Sequence, residues 1–540
     1  MPGRKLIVII DGGPHGDRVA EWQRRALATL CQDDEMTLLV CTNTQLARRP
    51  LRLPLYYLLN LQAVRNPLTR SVALVELIAR VTERIEFASE RDGTWQVLPR
   101  NILDRISGSG AVAVIKLGMG LLRVPPDLSV PILSWHHGDP EHFRGRPAGF
   151  WEILTGHPVL GQMVQVIGNR LDAGRVVAFA ETRIVRHSWR ATLVEAFRHS
   201  PLLLGPALDN VASGRSLVKL TTGQNYRLPG NRQVMRLLLQ LVVAKLTWLT
   251  FGALFEKRWR VSRAPVGSED QAVAIASGRH ALALQDQWWT PSIPDGCSFI
   301  ADPFFGGGAE ELLVEALSKR TGRGEIHRLD SAGSTRLSDL PGHYSYPALV
   351  EHEGTSLCIP EIAQWSTPVA YRWQGEWTAQ VQLDIAGNPR LTDPTFLHHD
   401  GQLYLFANDA ASGSGVLRLW SASGLSATFT EHPASPLRIS PRGSRMGGNL
   451  MASGSGSQLI RLGQDGSRDY GDGLIAFAID ELTPRSYRER EIGALRFSDR
   501  KGPHTFNLAP GGRAVVFDWY RVAFTPLAGI RRLAARLARR

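Results

Sequence analysis

The residues best equipped for chemistry lie in the stretch Leu133-Ser134-Trp135-His136-His137-Gly138-Asp139-Pro140-Glu141-His142-Phe143-Arg144-Gly145-Arg146-Pro147. A short apolar run, Pro131-Ile132-Leu133, delivers this polar cluster to its carboxyl end, where open α/β sheets place their sites. After a second apolar stretch, Gln162–Ile167, comes Leu171-Asp172-Ala173-Gly174. A histidine with a distant aspartate is an acid/base pair: imidazole takes a proton or hydrogen-bonds an oxyanion, and a carboxylate orients it. His136, His137, Asp139 and His142 are also close enough in sequence to suggest a metal. However, adjacent strand residues point apart and the Pro/Gly loop lacks helical ligand spacing, so no metal is expected. Gly12-Gly13 and Gly118–Gly120 do not form a dinucleotide fingerprint. No phosphate-binding loop occurs, and a Gly-x-Ser-x-Gly around Ser109 lacks a nucleophile-elbow context.

The elements that must position these residues follow from periodicity. Up to about residue 200, apolar runs (Met36–Cys41, Val112–Leu117, Val130–Leu133) alternate with helix-like stretches such as Arg18–Cys31, the signature of a parallel α/β domain. Lys5–Ile10, ending in Asp11-Gly12-Gly13, reads as a buried first strand and glycine turn rather than a secretory leader. From about 265 onward helical periodicity fades and a repeat emerges. Asp302-Pro303-Phe304-Phe305, Tyr346-Pro347-Ala348-Leu349, Asp393-Pro394-Thr395-Phe396, Gly448-Asn449-Leu450-Met451 and His504-Thr505-Phe506-Asn507 each open a hairpin into a second apolar strand. Their spacing of 44–56 residues predicts a five-bladed β-propeller. Equivalent blade starts converge on the channel, so Asp302, Tyr346, Asp393 and His504, with Glu361 close behind, are candidate channel residues. Carboxylates from different blades can serve as acid and base on a sugar, although Asp-Pro is also a local turn device.

Two resemblances sharpen this reading. The hairpins above, with Gln464, Tyr470-Gly471 and Lys501-Gly502-Pro503-His504-Thr505, resemble the five-bladed superfamily that includes glycoside hydrolase family 43. More specifically, Trp259 to Phe524 resembles the N-terminal domain of glucosamine inositolphosphorylceramide transferases. Residues 1–200 resemble the 10-formyltetrahydrofolate-dependent formyltransferases: the His136 to Arg144-Gly145 interval, Phe143 before the arginine, Trp151–Gly156 and Asp172-Ala173-Gly174 match that family's pattern. This resemblance implies a Rossmann-like fold and 10-formyltetrahydrofolate as co-substrate, approached by Leu117, Gly118, Met119 and Gly120. It implies His136 at the tetrahedral intermediate, Asp172 tuning His136 and the attacking amine, and Arg144 and His137 near the substrate. The family's catalytic Asn falls on Ser134, a shorter donor, and losing one oxyanion donor typically costs about 10²–10³-fold. His137, in place of the family's proline, is the candidate replacement.

At 540 residues the chain needs two to four domains. Its 43% hydrophobic and 21% charged residues exclude a disordered, collagen-like or coiled-coil protein. Four scattered cysteines fit a reducing compartment. The net charge of +12 allows an anionic partner; with no RNA-binding module or basic aromatic stripe, nucleic acid is not expected. Leu237–Phe255 is long enough to cross a bilayer, but Gln240 and the central Lys245 favour a buried or interfacial helix. Ile530–Arg540 reads as a short basic amphipathic helix suited to peripheral membrane contact. The expected organisation is multidomain: a formyltransferase-like α/β domain (1–200), a helical connector (201–260), an all-β five-bladed propeller (261–525) and a basic tail (526–540), with no oligomeric state specified. The expected function is formyl transfer to an amine of a sugar nucleotide or glycolipid, with the propeller binding the glycan, in the cytoplasm or at the inner face of its membrane. The alternatives are a carbohydrate-active propeller using Asp302, Glu361 and Asp393 beside a degenerate first domain, or a non-catalytic glycan-binding scaffold.

Overall fold

Leu6–Ile10 is apolar at every position and buried at every position, as a parallel strand covered on both faces must be. In the computed structural model, which describes residues 3–12, 17–42, 53–74, 80–337, 342–362, 367–373, 377–453 and 458–538, it is an interior strand of a seven-stranded sheet. The chain divides into two units, Met1–Leu246 and Thr247–Arg540. Gly13 of the expected first turn, and Arg539 and Arg540 of the expected tail helix, lie outside the described residues.

The first unit's sheet comprises β1 (Lys5–Asp11), β2 (Glu35–Cys41), β3 (Val81–Phe87), β4 (Ala113–Lys116), β5 (Ile132–His136), β6 (Val159–Val166) and β7 (Arg175–Arg183). Their spatial order is β7-β6-β5-β4-β1-β2-β3. From β5 to β3 the neighbours are parallel, whereas β6 and β7 are antiparallel additions. The chain builds outward from β1 to β3 and then returns to lay β4 and β5 on the other side. The reversal between β1 and β4 is a topological switch point, the crevice where such sheets bind ligands. The expected helix Arg18–Cys31 is shorter, Glu21–Ala28. Arg18–Ala20 instead pairs with Ser71–Ala73, and Gln23 Oε1 accepts the Ala20 N–H at 2.9 Å to start the helix there.

Residues 201–260 are not a separate connector. The helix Leu204–Ala212 buries Leu204, Ala207 and Leu208, and Asn210 Nδ2 donates to the Val177 carbonyl on β7 at 2.8 Å. Gln224–Tyr226 pairs in parallel with Phe143–Gly145. The division falls within the helix α1 (Asn231–Leu254), and Phe255–Pro265 already belongs to the propeller.

The second unit is a five-bladed propeller. Its inner strands are Cys297–Phe305, Ser345–His352, Leu391–His399, Arg442–Met446 and Phe506–Leu508. Four blades are completed by the strands that follow in sequence. The fifth takes its outer strand from the start of the unit, Phe255–Pro265, paired antiparallel with Ala514–Phe524. The repeated Asp-Pro and Tyr-Pro pairs sit within inner strands rather than opening them. The ladder slips between Ala301/Phe304, Ser345/Ala348 and Thr392/Thr395, and Asp302, Tyr346 and Asp393 adopt left-handed φ of 48°, 46° and 49°. Proline, having no N–H, is tolerated at such bulges, and each left-handed non-glycine residue costs on the order of 1 kcal/mol.

Val261 on the closing strand is fully buried among Ile300, Val314 and Val516. Val261→Asp is expected to destabilise the propeller by about 3 kcal/mol or more in urea unfolding, because a buried carboxylate there has no partner. Val522→Asp, on the exposed end of the paired strand, should change little. Equal stability of the two variants would refute closure by this strand.

Candidate functional sites

The pleat of β5 sorts the motif. Trp135 and His137 face one way, Ser134 and His136 the other. His137 is wedged between Trp22 and Phe197 at ring-centroid distances of 5.5 and 4.9 Å, and its Nε2 meets Ser200 Oγ at 2.9 Å. Burial, and then neighbouring His136, push its pKa down to about 3. It is a neutral packing residue facing away from His136, so the expectation that it replaces the missing donor or binds substrate is corrected.

His136 is where the chemistry collects. Its Nδ1 lies 3.1 Å from Asp172 Oδ1. Its Nε2 is buried without a hydrogen bond, near the Phe143 carbonyl, and a Cβ at Gly138 would come within 2.7 Å of it. Burial lowers the His136 pKa although Asp172 opposes the shift. The ring is therefore neutral, and the tautomer with Nδ1–H directed at the carboxylate is the one that leaves Nε2 able to accept a proton. Asp172 also accepts the Gly145 N–H at 3.1 Å. Gly174 fixes that loop: its N–H reaches Gln165 Oε1 at 2.9 Å, and a Cβ would strike the Val166 carbonyl at 2.3 Å. Arg144 is turned to the backbone, Nε donating to the Gly223 carbonyl at 2.7 Å. Asp139 and His142 pair with each other at 3.1 Å and do not join His136.

Leu117, Gly118, Met119 and Gly120 form the turn after β4, at the switch point. Asp11, ending β1, accepts the Met119 N–H at 2.7 Å. A Cβ on Gly118 would meet the Asp11 amide nitrogen and Oδ1 at 2.6 Å, so glycine is required. Sequence reasoning missed Lys116, which ends β4 directly beside Ser134 in register, with Gln165 on Ser134's other side. Cross-strand neighbours share a face, so Lys116, Ser134 and His136 line one surface. Lys116 has no ion-pair or hydrogen-bond partner among the described residues; burial pushes it down to about 8 while Asp11 holds it up. A lysine closing an otherwise apolar strand was its only sequence signal.

The propeller axis gathers a second set. Thr505 Oγ1 donates to Asp302 at 2.7 Å. His504 bridges two carboxylates, Nε2 to Asp302 at 3.2 Å and Nδ1 to Asp518 at 2.5 Å. Burial disfavours its charge, but Asp518 and Asp302 outweigh that and raise it to about 9. Asp393 receives Arg445 in a bidentate ion pair and Gln464 Nε2 at 2.8 Å. Glu361 accepts the Asp393 N–H at 3.0 Å and is raised well above the usual carboxylate range by burial and by Asp393. Glu315, in the second strand of the first blade, is pushed up to about 8 by burial and by Asp302, and Asp302 to about 6 by burial. Tyr346 instead ties blades together, its hydroxyl meeting Thr395 Oγ1 at 2.9 Å and the Gly448 N–H at 2.8 Å. Asp302, Glu361, Asp393 and His504 are thus buried around one channel, with Glu315, Arg445 and Asp518 as members the repeat did not reveal. Asp302, His504 and Asp518 have ligand-type atoms within 4.8 Å of one another.

The family model described as "Glucosamine inositolphosphorylceramide transferase 1, N-terminal" matches residues 293–523, within the propeller. The protein of that name from Arabidopsis thaliana is 30% identical over 229 residues, 39% of this chain and 29% of its own length. That from Oryza sativa subsp. japonica is 28% identical over 254 residues, 42% of this chain and 34% of its own. The match therefore spans about a third of these relatives. Among solved structures, a 4-N formyltransferase from Francisella tularensis aligns with 44% of this chain and 87% of its own, at 13% identity and a TM-score of 0.27. A likely sugar N-formyltransferase from Mycobacterium tuberculosis aligns over the same shares, at 14% identity and a TM-score of 0.27. These scores are low, and the site chemistry rests on the residues described above.

Glu315 supplies a test of the axis. Its folded pKa of about 8 exceeds the value of about 4.3 expected unfolded. Between those values the folded state holds the extra proton, so this group's contribution to stability is complete at low pH and falls as pH rises. Glu315→Gln removes that slope. Relative to wild type it should gain on the order of 1–3 kcal/mol near pH 8 and almost nothing near pH 4, read from thermal unfolding across pH. A pH-independent difference would contradict the assignment.

Proposed function

We propose that the first unit transfers a formyl group from 10-formyltetrahydrofolate to an amine of a sugar-bearing acceptor, and that the propeller recognises the glycan. The observation carrying this reading is the 3.1 Å His136–Asp172 contact at the carboxyl end of β5, with Nε2 unpartnered on the face shared with Ser134 and Lys116. The glycine-dependent turn Leu117–Gly120 at the switch point suits a flat ring. The folate supplies the formyl carbon. The acceptor nitrogen adds to that carbon, its carbonyl electrons moving onto oxygen, and the oxyanion re-forms the carbonyl as the folate's carbon–nitrogen bond breaks; the amine's proton passes to His136 Nε2 and is returned to the departing folate nitrogen. Asp172 holds His136 in the tautomer that accepts at Nε2. Ser134 provides one oxyanion donor, and the Lys116 ammonium, in register beside it, supplies the charge that the absent asparagine amide would otherwise contribute. With a folate as co-substrate, the location proposed for this activity is the cytoplasm.

A second reading is favoured by the propeller's own chemistry. Glu361, held protonated, and Asp302, poised near 6, form an acid and base pair of the type that works on glycosidic bonds, and the similarity to the inositolphosphorylceramide transferases falls on this unit. In that case the propeller handles the sugar chemistry and His136 is dispensable.

Formylation of amino-sugar nucleotides by the full chain, followed by mass spectrometry with 10-formyltetrahydrofolate, separates the two. His136→Ala should lower the rate about 10²–10⁴-fold, and Ser134→Asn should raise it. The wild-type rate should fall above about pH 8 as Lys116 loses its proton, and Lys116→Gln should be slower and lack that limb. Absence of formylation, together with folate binding unchanged by His136→Ala, sinks the first reading. Sugar release or transfer lost in Glu361→Gln but kept in His136→Ala supports the second.

A further inference from the structure

Among the described residues, α1 exposes a long run of large apolar side chains. This helix runs 24 residues without an acidic side chain, about 36 Å at 1.5 Å per residue, and only 6% of its apolar stretch is buried inside the protein. Met235, Leu239, Val242, Leu246 and Leu249 recur at alternating intervals of four and three, so they form one stripe, and each is about half exposed or more. Val243 and Trp248 widen it. An apolar strip of this length on a water-facing helix marks a contact surface rather than ordinary scatter.

The opposite face is occupied. Val234 and Leu237 are fully buried against Phe150, Leu154 and Trp189, Leu238 and Leu241 pack beside them, and Gln240 Nε2 donates to the Leu154 carbonyl at 3.3 Å. A helix held along one face over its first three turns cannot thread a bilayer without uncovering that core. It can lie in the plane of a membrane with the other face down.

Charge decides the occupant. Arg232 and Arg236 are exposed on the first turns and Lys245 further along, with no carboxylate on the helix to oppose them. At the far end, the helix α2 (Ala528–Ala538), also without acidic residues, packs Gly529 near Ala253. Its Arg532 donates to the carbonyls of Gly252 and Phe255 at 2.5 Å, capping α1. Next to that cap Arg531, Ile530 and Leu533 are exposed, as are Leu527 and Phe524. Apolar side chains rimmed by arginines match an anionic lipid surface, with acyl chains beneath and phosphates around the edge. We infer that α1 and α2 form an in-plane anchor that docks the protein on anionic bilayers. The inference is independent of the reaction the chain performs.

Flotation of the full chain with vesicles tests it. Phosphatidylcholine vesicles containing about one third phosphatidylserine should carry the protein, pure phosphatidylcholine much less, and added salt should weaken binding. Leu239→Glu with Val242→Glu and Leu246→Glu, all on the exposed stripe, should reduce binding tenfold or more with an unchanged circular dichroism spectrum. Arg531→Gln with Arg536→Gln should reduce the preference for phosphatidylserine. If the triple variant misfolds, the wild type still answers: brominated lipids should quench part of its tryptophan emission, and that part should vanish in Trp248→Phe. No flotation with either vesicle, or a solution dimer that the triple variant dissociates, overturns the proposal.

Discussion

The pairing of Phe255–Pro265 with Ala514–Phe524, eleven registered positions long, is the contact on which the propeller's chemistry depends. It brings the first strand of the second unit to its last blade and so turns a row of sheets into a ring. Asp518 sits on that closing pair opposite Val261, and from there it accepts the His504, Thr505 and Asp302 amides. If the ring were open, Asp518 would lose the Asp302 amide and His504 would lose a carboxylate on one side. Closure across the whole sequence length of a domain is entropically demanding, and it is achieved here through a long, fully paired strand rather than a short clasp.

Inside the ring the energetics run against simple stability. Several carboxylates, an arginine and a histidine are removed from water, and such groups are tolerated only when paired. The pairing is specific: Arg445 holds Asp393 from two sides, and His504 is held between Asp302 and Asp518. Glu361 shares Arg445 with Asp393 at 3.7 Å and Glu315 lies 3.8 Å from His343, yet burial and the neighbouring carboxylates raise both above the usual carboxylate range. The bulges at Asp302 and Asp393 carry local strain as well. An apolar plug would fill the same space at lower cost.

The first unit reaches its site by another route. Nothing in it depends on closure; parallel strands simply end side by side at a switch point, and loops add the remaining groups. His136 is oriented by one carboxylate and surrounded by glycines at 138, 145 and 174 where no side chain fits. The reaction proposed for it and the channel proposed for the sugar belong to different units, and each is described by its own contacts.

How much of this was legible in sequence follows from the range of the forces involved. Strand alternation, the five hairpins and the opposed directions of His136 and His137 are encoded in local patterns, and those patterns sufficed, whereas the pairing of His136 with Asp172 was expected from the resemblance to a family. Glu361 was readable because it ends an apolar strand, and Glu315 carried the same signal unread. The tertiary structure alone decided the rest. Lys116 stands beside Ser134 through strand register, and Arg445 meets Asp393 across two blades. Residues 204–226 join the first unit, not a connector, through pairing and packing with strands well before them in the chain. His137 is a core residue because Trp22 and Phe197, distant in sequence, close over it. Residue types and spacing determine which groups are present and which face of an element they occupy. Which of them meet, and which are stripped of water, depends on long-range register and burial that no local window contains.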